Sequence, residues 1–190
     1  MQFKEIEHKF VVDGDFDRDA FVAALRALAP EREVSLRVRD RYFVTADGRS
    51  RGYILRHRHD RELHELTIKS VEADAEVRDE INLALRPHDQ DGQVDAFVAA
   101  LGAEWSGTIW KDLTVWHFAD CEVVYYDATA EDRRVSCVEF EATHKPDTAG
   151  ALAVVARYEA ATGFAERDRT TLSLLELLWP GVSQRRTLTP

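Results

Sequence analysis

Glu5, Glu7 and Lys9 stand at alternate positions of "EIEHK". Alternate side chains of a β-strand share a face, so a strand here sets two carboxylates and an ammonium in one row, about 6.6 Å apart. The same alternation recurs further on. Arg56 and Arg58 share a face in "ILRHR", Lys69 and Thr67 in "LTIKS", Arg78, Glu80 and Asn82 in "VRDEINL", and Glu139 and Glu141 in "VEFEA". A solvated sheet shows this pattern one strand at a time. The set differs from that in two ways. Acidic pairs fall towards the two ends of the chain, with basic residues between them. The chain also has five lysines against twenty arginines, and Lys9, Lys69 and Lys111 all fall in predicted strands. An ammonium is a point charge suited to a phosphate oxygen, and a guanidinium is a two-pronged donor. Glutamates suit hard cations such as Mg²⁺ or Mn²⁺. Together such rows can orient a phosphate chain while the metal polarises its terminal phosphoryl group, and water can then attack in line.

The elements that must position these rows are legible from periodicity. Residues 2–12 read as a strand, closed by the turn residues "DGD" at 13–15. Residues 16–29 put Phe21, Leu25 and Leu28 on one helical face before Pro30. The period then changes to two, which predicts strands at about 34–44, 51–59, 62–70 and 77–86. "ADGR" at 46–49 and "HDRE" at 59–62 read as hairpin turns. "DAFVAAL" at 95–101 repeats 19–25 letter for letter and points to two similar halves. It predicts a helix at 93–102, followed by strands at about 104–117, 120–129 and 133–143. Helices are expected at 147–162, ending at Gly163, and at 168–179, ending at Pro180. Eight hairpin-connected strands with one charged face imply an α+β fold, an eight-stranded antiparallel β-barrel with a polar lumen and flanking helices. Residues 1–180 read as one domain and 181–190 as a loose tail.

The totals exclude several classes. With 190 residues and 45% apolar content, a full core is expected. A net charge of −10 argues against nucleic acid and membrane surfaces as partners. The first residues carry Lys4, Glu5, Glu7 and Lys9 and no apolar run of signal-peptide type, and no stretch is long enough to span a bilayer. Two cysteines, Cys121 and Cys137, suit a reduced cytoplasmic protein and read as small packing residues on adjacent strands. "HRH" at 57–59 reads as a surface strand end, and the four tryptophans as packing groups. No sustained heptad supports a coiled coil, and a homodimer is left open.

At this point the motifs resemble those of the CYTH superfamily, the triphosphate tunnel metalloenzymes. "EIEHK" is similar to the family's E-x-E-x-K. "DRYF" at 40–43, "RGYILRHR" at 51–58, "TIK" at 67–69 and "RDE" at 78–80 follow in family order. Lys111 resembles the basic residue that opens the second half, and Asp127, Glu139 and Glu141 resemble the late acidic ligands. The likeness runs through residues 3–143. It implies an eight-stranded tunnel that binds a triphosphate with Mg²⁺ or Mn²⁺. It implies Glu5, Glu7, Asp127, Glu139 and Glu141 as metal ligands. Lys9, Arg56, Arg58, Lys69, Arg78 and Lys111 would bind phosphate, with Lys9 and Glu80 catalytic and Glu80 helping to position the water. The departures are Asn82 in place of a second glutamate, Leu113 in place of a second basic residue, "TL" at 171–172 in place of Ser-Tyr, and Arg169 in place of a lysine.

The leading expectation is a metal-dependent triphosphatase acting on a small triphosphate, inorganic tripolyphosphate first, with thiamine triphosphate or a nucleoside triphosphate as relatives. The alternatives are an adenylyl cyclase of the bacterial class the opening resembles, and a non-catalytic polyphosphate or nucleotide binder, which Asn82 and Leu113 would favour.

Overall fold

The computed structural model describes residues 3–70, 77–143 and 147–182, with residues 3–5 and 77–78 described through their backbone alone. Eight strands carry the fold: β1 (Phe3–Val12), β2 (Arg32–Thr45), β3 (Tyr53–His59), β4 (His64–Ser70), β5 (Val77–Ala84), β6 (Ala103–His117), β7 (Cys121–Ala130) and β8 (Arg133–Ala142). All neighbours are antiparallel and close into a barrel in the order β1-β5-β4-β3-β2-β6-β7-β8. Closure runs through β1, which pairs with β5 over residues 3–6 and with β8 over residues 7–12. Eight strands leave an interior just wide enough for side chains or one small ligand.

Among the described residues five helices dress the barrel: α1 (Arg18–Ala27), α2 (Ala46–Arg51), α3 (Asp91–Ala100), α4 (Thr148–Thr162) and α5 (Leu174–Leu178). Asp17 caps α1 by accepting from the Ala20 amide, and Asp147 caps α4 by accepting from that of Gly150. On the outer face of the barrel, α1 and α4 cover a cluster in which the rings of Phe10, Phe21 and Phe140 meet Phe164 edge to face. Such pairs contribute about 0.5–1.5 kcal/mol each beyond their buried area. Helix α3 covers Phe43, Leu55 and Leu66 on the opposite side. Leu174, Leu175 and Leu178 of α5 do something different. They pack on inward-facing residues, among them Val44, Ile54, Ile109 and Ala130, and plug one end of the barrel.

Four local expectations are corrected. Residues 46–51 form α2 in place of a hairpin turn, because Thr45 Oγ1 accepts from the Gly48 amide and Gly52 (φ 75°) closes the far end. Gly48 is required there, since a Cβ would lie 2.6 Å from the Tyr53 carbonyl oxygen. The last helix is only Leu174–Leu178, because residue 170 bridges back to Lys9 of β1 in extended form and Ser173 then starts the helix. "HRH" is no surface end at its first residue. His57 is fully buried, with Nε2 2.9 Å from His64 Nε2, and burial pushes its pKa down to about 4. The repeat also packs differently in its two copies. Phe21 and Leu25 are buried, whereas their counterparts Phe97 and Leu101 are exposed and α3 buries Val94 and Val98. Cys121 and Cys137 are free and buried, but the register puts them on opposite faces, facing Ala142 and Tyr126. Among the described residues no helix is long and apolar enough to cross a membrane. Residues 71–76 and the tail at 183–190 lie outside the described residues.

Candidate functional site

The inward rows of the strands line one cavity of about 220 Å³ inside the barrel. Strand parity puts Glu7 and Lys9 of β1 into it, Arg56 and Arg58 of β3, Lys69 of β4, Lys111 of β6, and Glu139 and Glu141 of β8. These eight sit far apart in sequence and meet only because the barrel closes. Glu80 of β5 is buried beside them in an ion pair with Lys69. Glu5 and Arg78 occupy facing register positions on β1 and β5, and their side chains lie outside the described residues.

Asp127 is a correction. The β7–β8 register pairs it with Ser136, on the face opposite the cavity. There it accepts from Ser136 Oγ and pairs with Arg134 at 3.2 Å. Arg169 is another. It sits outside the lumen, with Nη1 2.8 Å from His8 Nε2 on the outer face of β1.

Three groups that sequence reasoning passed over complete the site. Asp40 has no exposed surface. It accepts two hydrogen bonds from Arg58, at 2.7 and 2.8 Å, and pairs with Lys111 Nζ at 2.7 Å. Burial alone would raise its pKa, but the charges of Arg58 and Lys111 outweigh that and hold it well below the usual range. Tyr126 donates to Glu139 Oε1 at 2.6 Å, and burial beside that carboxylate raises the phenol well above its ordinary value. Glu122 faces Glu141, which faces Glu7, so three carboxylates form one row across β7, β8 and β1. The signal for Asp40 was present, since it opens "DRYF".

The cations are held ready. Lys9 Nζ lies between Glu7 and Glu139, at 2.9 and 3.1 Å. Arg56 donates to Glu65 at 3.0 Å and to Thr67 at 3.2 Å, and its buried Nε has no hydrogen-bond partner among the described residues. Burial, reinforced by the nearby Arg58 charge, pushes Lys111 down to about 8 despite Asp40. Ammonium points and guanidinium forks around one small volume can grip several phosphate oxygens at once.

The acidic row is a candidate cation site. Its hard carboxylate oxygens have the right chemistry for Mg²⁺ or Mn²⁺. Among the described residues, no three His, Cys, Asp or Glu side chains stand close enough to hold one ion. Lys9 instead occupies the space between two of the glutamates. The donor set matches such a metal in charge and donor type, and the Lys9 ammonium is the cation now held between Glu7 and Glu139.

The comparisons agree with this geometry. A family model for the CYTH domain matches residues 4–166. No curated protein matches the sequence. Among solved structures, the PH1012 protein of Pyrococcus horikoshii is 16% identical, superposes with a TM-score of 0.70, and covers 92% of this chain and 99% of its own. A candidate adenylate cyclase of Bacillus halodurans is 14% identical with a TM-score of 0.61, covering 94% and 98%. HpAC1 of Hippeastrum, a candidate adenylyl cyclase described for its dominant triphosphatase activity, is 14% identical with a TM-score of 0.56, covering 92% and 94%. With the family model spanning most of its length and an eight-stranded barrel that gathers the charged rows, this chain belongs to the CYTH domain family.

Proposed function

We propose that the cavity binds the phosphate chain of a small triphosphate and that the protein hydrolyses it with Mg²⁺ or Mn²⁺. Inorganic tripolyphosphate is the simplest substrate with this chemistry; thiamine triphosphate and nucleoside triphosphates share its reacting group. The observation that carries the reading is the meeting of Lys9, Arg56, Arg58, Lys69 and Lys111 on one cavity in a chain of net charge −10. Cations gathered inside an acidic chain and interleaved with carboxylates suit a small anion that enters together with a metal over a polymer. The orphaned Nε of Arg56 is a buried donor for which a phosphate oxygen is a fitting acceptor.

The residues divide the work by charge type. Arg56 and Arg58 offer planar forks to non-bridging oxygens, and Lys69 and Lys111 offer point charges. Each charged hydrogen bond contributes about 1.5–3 kcal/mol. Asp40 holds Arg58 and Lys111 in place before the ligand arrives, so little reorganisation is needed. Glu7, Glu139 and Glu141 would hold the metal, with Glu122 one strand away. When bound, the metal supplies charge neutralisation and polarisation of the terminal phosphoryl group. Lys9 leaves its two glutamates to meet the phosphate chain, and Glu80, fixed by Lys69, accepts a hydrogen bond from the attacking water. In-line attack breaks one P–O bond and releases orthophosphate.

The test is phosphate release from tripolyphosphate, thiamine triphosphate and ATP with Mg²⁺, Mn²⁺ or EDTA, with cyclic AMP read in the ATP samples. Release that needs metal and is lost in EDTA is the expected result. Cyclic AMP in place of orthophosphate would make the protein a cyclase. Tight binding without release would make it a carrier.

A further inference from the structure

The lumen has two unlike walls. Lys9, Arg56, Arg58, Lys69, Glu7, Glu139 and Glu141 sit on β1, β3, β4 and β8, whereas β2, β6 and β7 present a band of Leu36, Val38, Leu113, Val115 and Val124, bounded along the strands by Lys111 at one end and by His117 and Glu122 at the other. The rungs show how abrupt the change is. One rung runs Val34, Val115, Val124, Glu139, Lys9 across β2, β6, β7, β8 and β1, and passes from aliphatic to ionic between β7 and β8. Neighbouring strands are about 4.8 Å apart, so apolar and cationic surfaces lie within the length of one small ligand.

This wall is not ordinary core. The plug residues of α5 pack on Val38 and Leu113, which are nearly sealed, but Leu36, Val115 and Val124 remain only partly buried while lining the cavity. An inward aliphatic surface that the protein's own side chains leave partly uncovered favours an apolar occupant over water. A fully inorganic triphosphate laid along this band would set phosphate oxygens against the side chains of Leu113, Val115 and Val124, which offer no donor, and burying unpaired polar groups is costly.

We infer that the preferred ligand is a triphosphate monoester of an apolar alcohol, aliphatic or aromatic, its phosphates on the cationic wall and its organic group against Leu36, Leu113, Val115 and Val124. This rests on the triphosphate reading of the same cavity and names the substrate class within it. Inorganic tripolyphosphate then fills only the charged half.

The test is a set of dissociation constants for the native protein, measured by calorimetry with methyl, hexyl and phenyl triphosphate. The three carry the same charge and differ only in the organic group. Burying two further methylenes tightens binding about fifteenfold, since each contributes a factor of about four. Hexyl or phenyl triphosphate is therefore expected to bind at least tenfold tighter than methyl triphosphate, and which of the two gains more separates an aliphatic from an aromatic occupant. The double variant Leu113→Asn, Val124→Asn is expected to bring the ratio towards one. Equal affinities for all three esters in the native protein would overturn this inference and leave the triphosphate site standing. Failure of all three to bind would overturn both.

Discussion

Asp40 is the place where the electrostatics of the site can be tested without turnover. It is fully buried and carries the only counter-charge within contact of both Arg58 and Lys111 among the described side chains. Asp40→Asn keeps the shape and removes the charge. Two cations then face each other inside the barrel, held by neutral partners. Breaking a buried ion pair by removing one member costs about 3–5 kcal/mol, because the other charge stays buried and uncompensated. For a domain of this size each kcal/mol shifts Tm by about 2–4 °C. The expected fall is about 6–20 °C by differential scanning calorimetry. A second reading comes from ligand. Tripolyphosphate supplies the missing negative charge, so it is expected to raise the variant's Tm by more than it raises that of the native protein. Asp112→Asn is the control: it removes an equal charge from an exposed carboxylate 3.8 Å from Arg37, and a shift within about 0.5 kcal/mol is expected. A fall in Tm below 2 °C for Asp40→Asn, with an unchanged response to tripolyphosphate, would refute the view that Asp40 preorganises these cations.

Four further outcomes follow from the same geometry. Lys111 is charged below about 8 and loses its proton as pH rises through that value, so tripolyphosphate affinity is expected to weaken between pH 7 and 9, and Lys111→Met to flatten the profile. Lys9→Ala and Glu139→Gln are each expected to lower kcat/KM about 10- to 150-fold, the value of one charged hydrogen bond, with circular dichroism unchanged. Leu175→Ala, in the plug, is expected to cost about 2–5 kcal/mol in chemical denaturation, since the side chain is 1% exposed. Phe21→Ala is expected to cost about 3–5 kcal/mol and Phe97→Ala less than about 0.5, although both occupy the same place in an identical heptapeptide.

Much of this architecture is written in period-two alternation, because a strand's parity decides which residues reach the lumen: Glu139 and Glu141 of β8 alternate with Val138 and Phe140, Lys69 of β4 follows Ile68, and Arg56 and Arg58 of β3 flank the buried His57. The heptapeptide repeat misleads for a related reason. Seven letters set a helix, but which stripe of it is buried depends on the surface it meets, and α1 and α3 meet different faces of the barrel. On β7 parity is ambiguous from composition alone. Cys121, Val123, Tyr125 and Asp127 form one row, Glu122, Val124, Tyr126 and Ala128 the other, and each carries one acid among apolar groups. Only the partner strand decides between them. The β7–β8 connection is two residues, Glu131 and Asp132, with Glu131 at φ 53°, so Ala130 pairs with Arg133 and the ladder is fixed from there. That register sets Glu122 opposite Glu141 and Asp127 opposite Ser136. Since Glu139 and Glu141 face the cavity, Ser136 and therefore Asp127 must face away. The positive-φ turn at "ED" is thus what separates a lumen carboxylate from a surface one. Lengthening it by one residue would shift the pairing by one and turn one strand's row over relative to the other. A single-glycine insertion between Glu131 and Asp132 is therefore expected to abolish tripolyphosphate binding while retaining most of the β-sheet circular dichroism, and binding at native affinity would show that register is not what assembles the acidic wall.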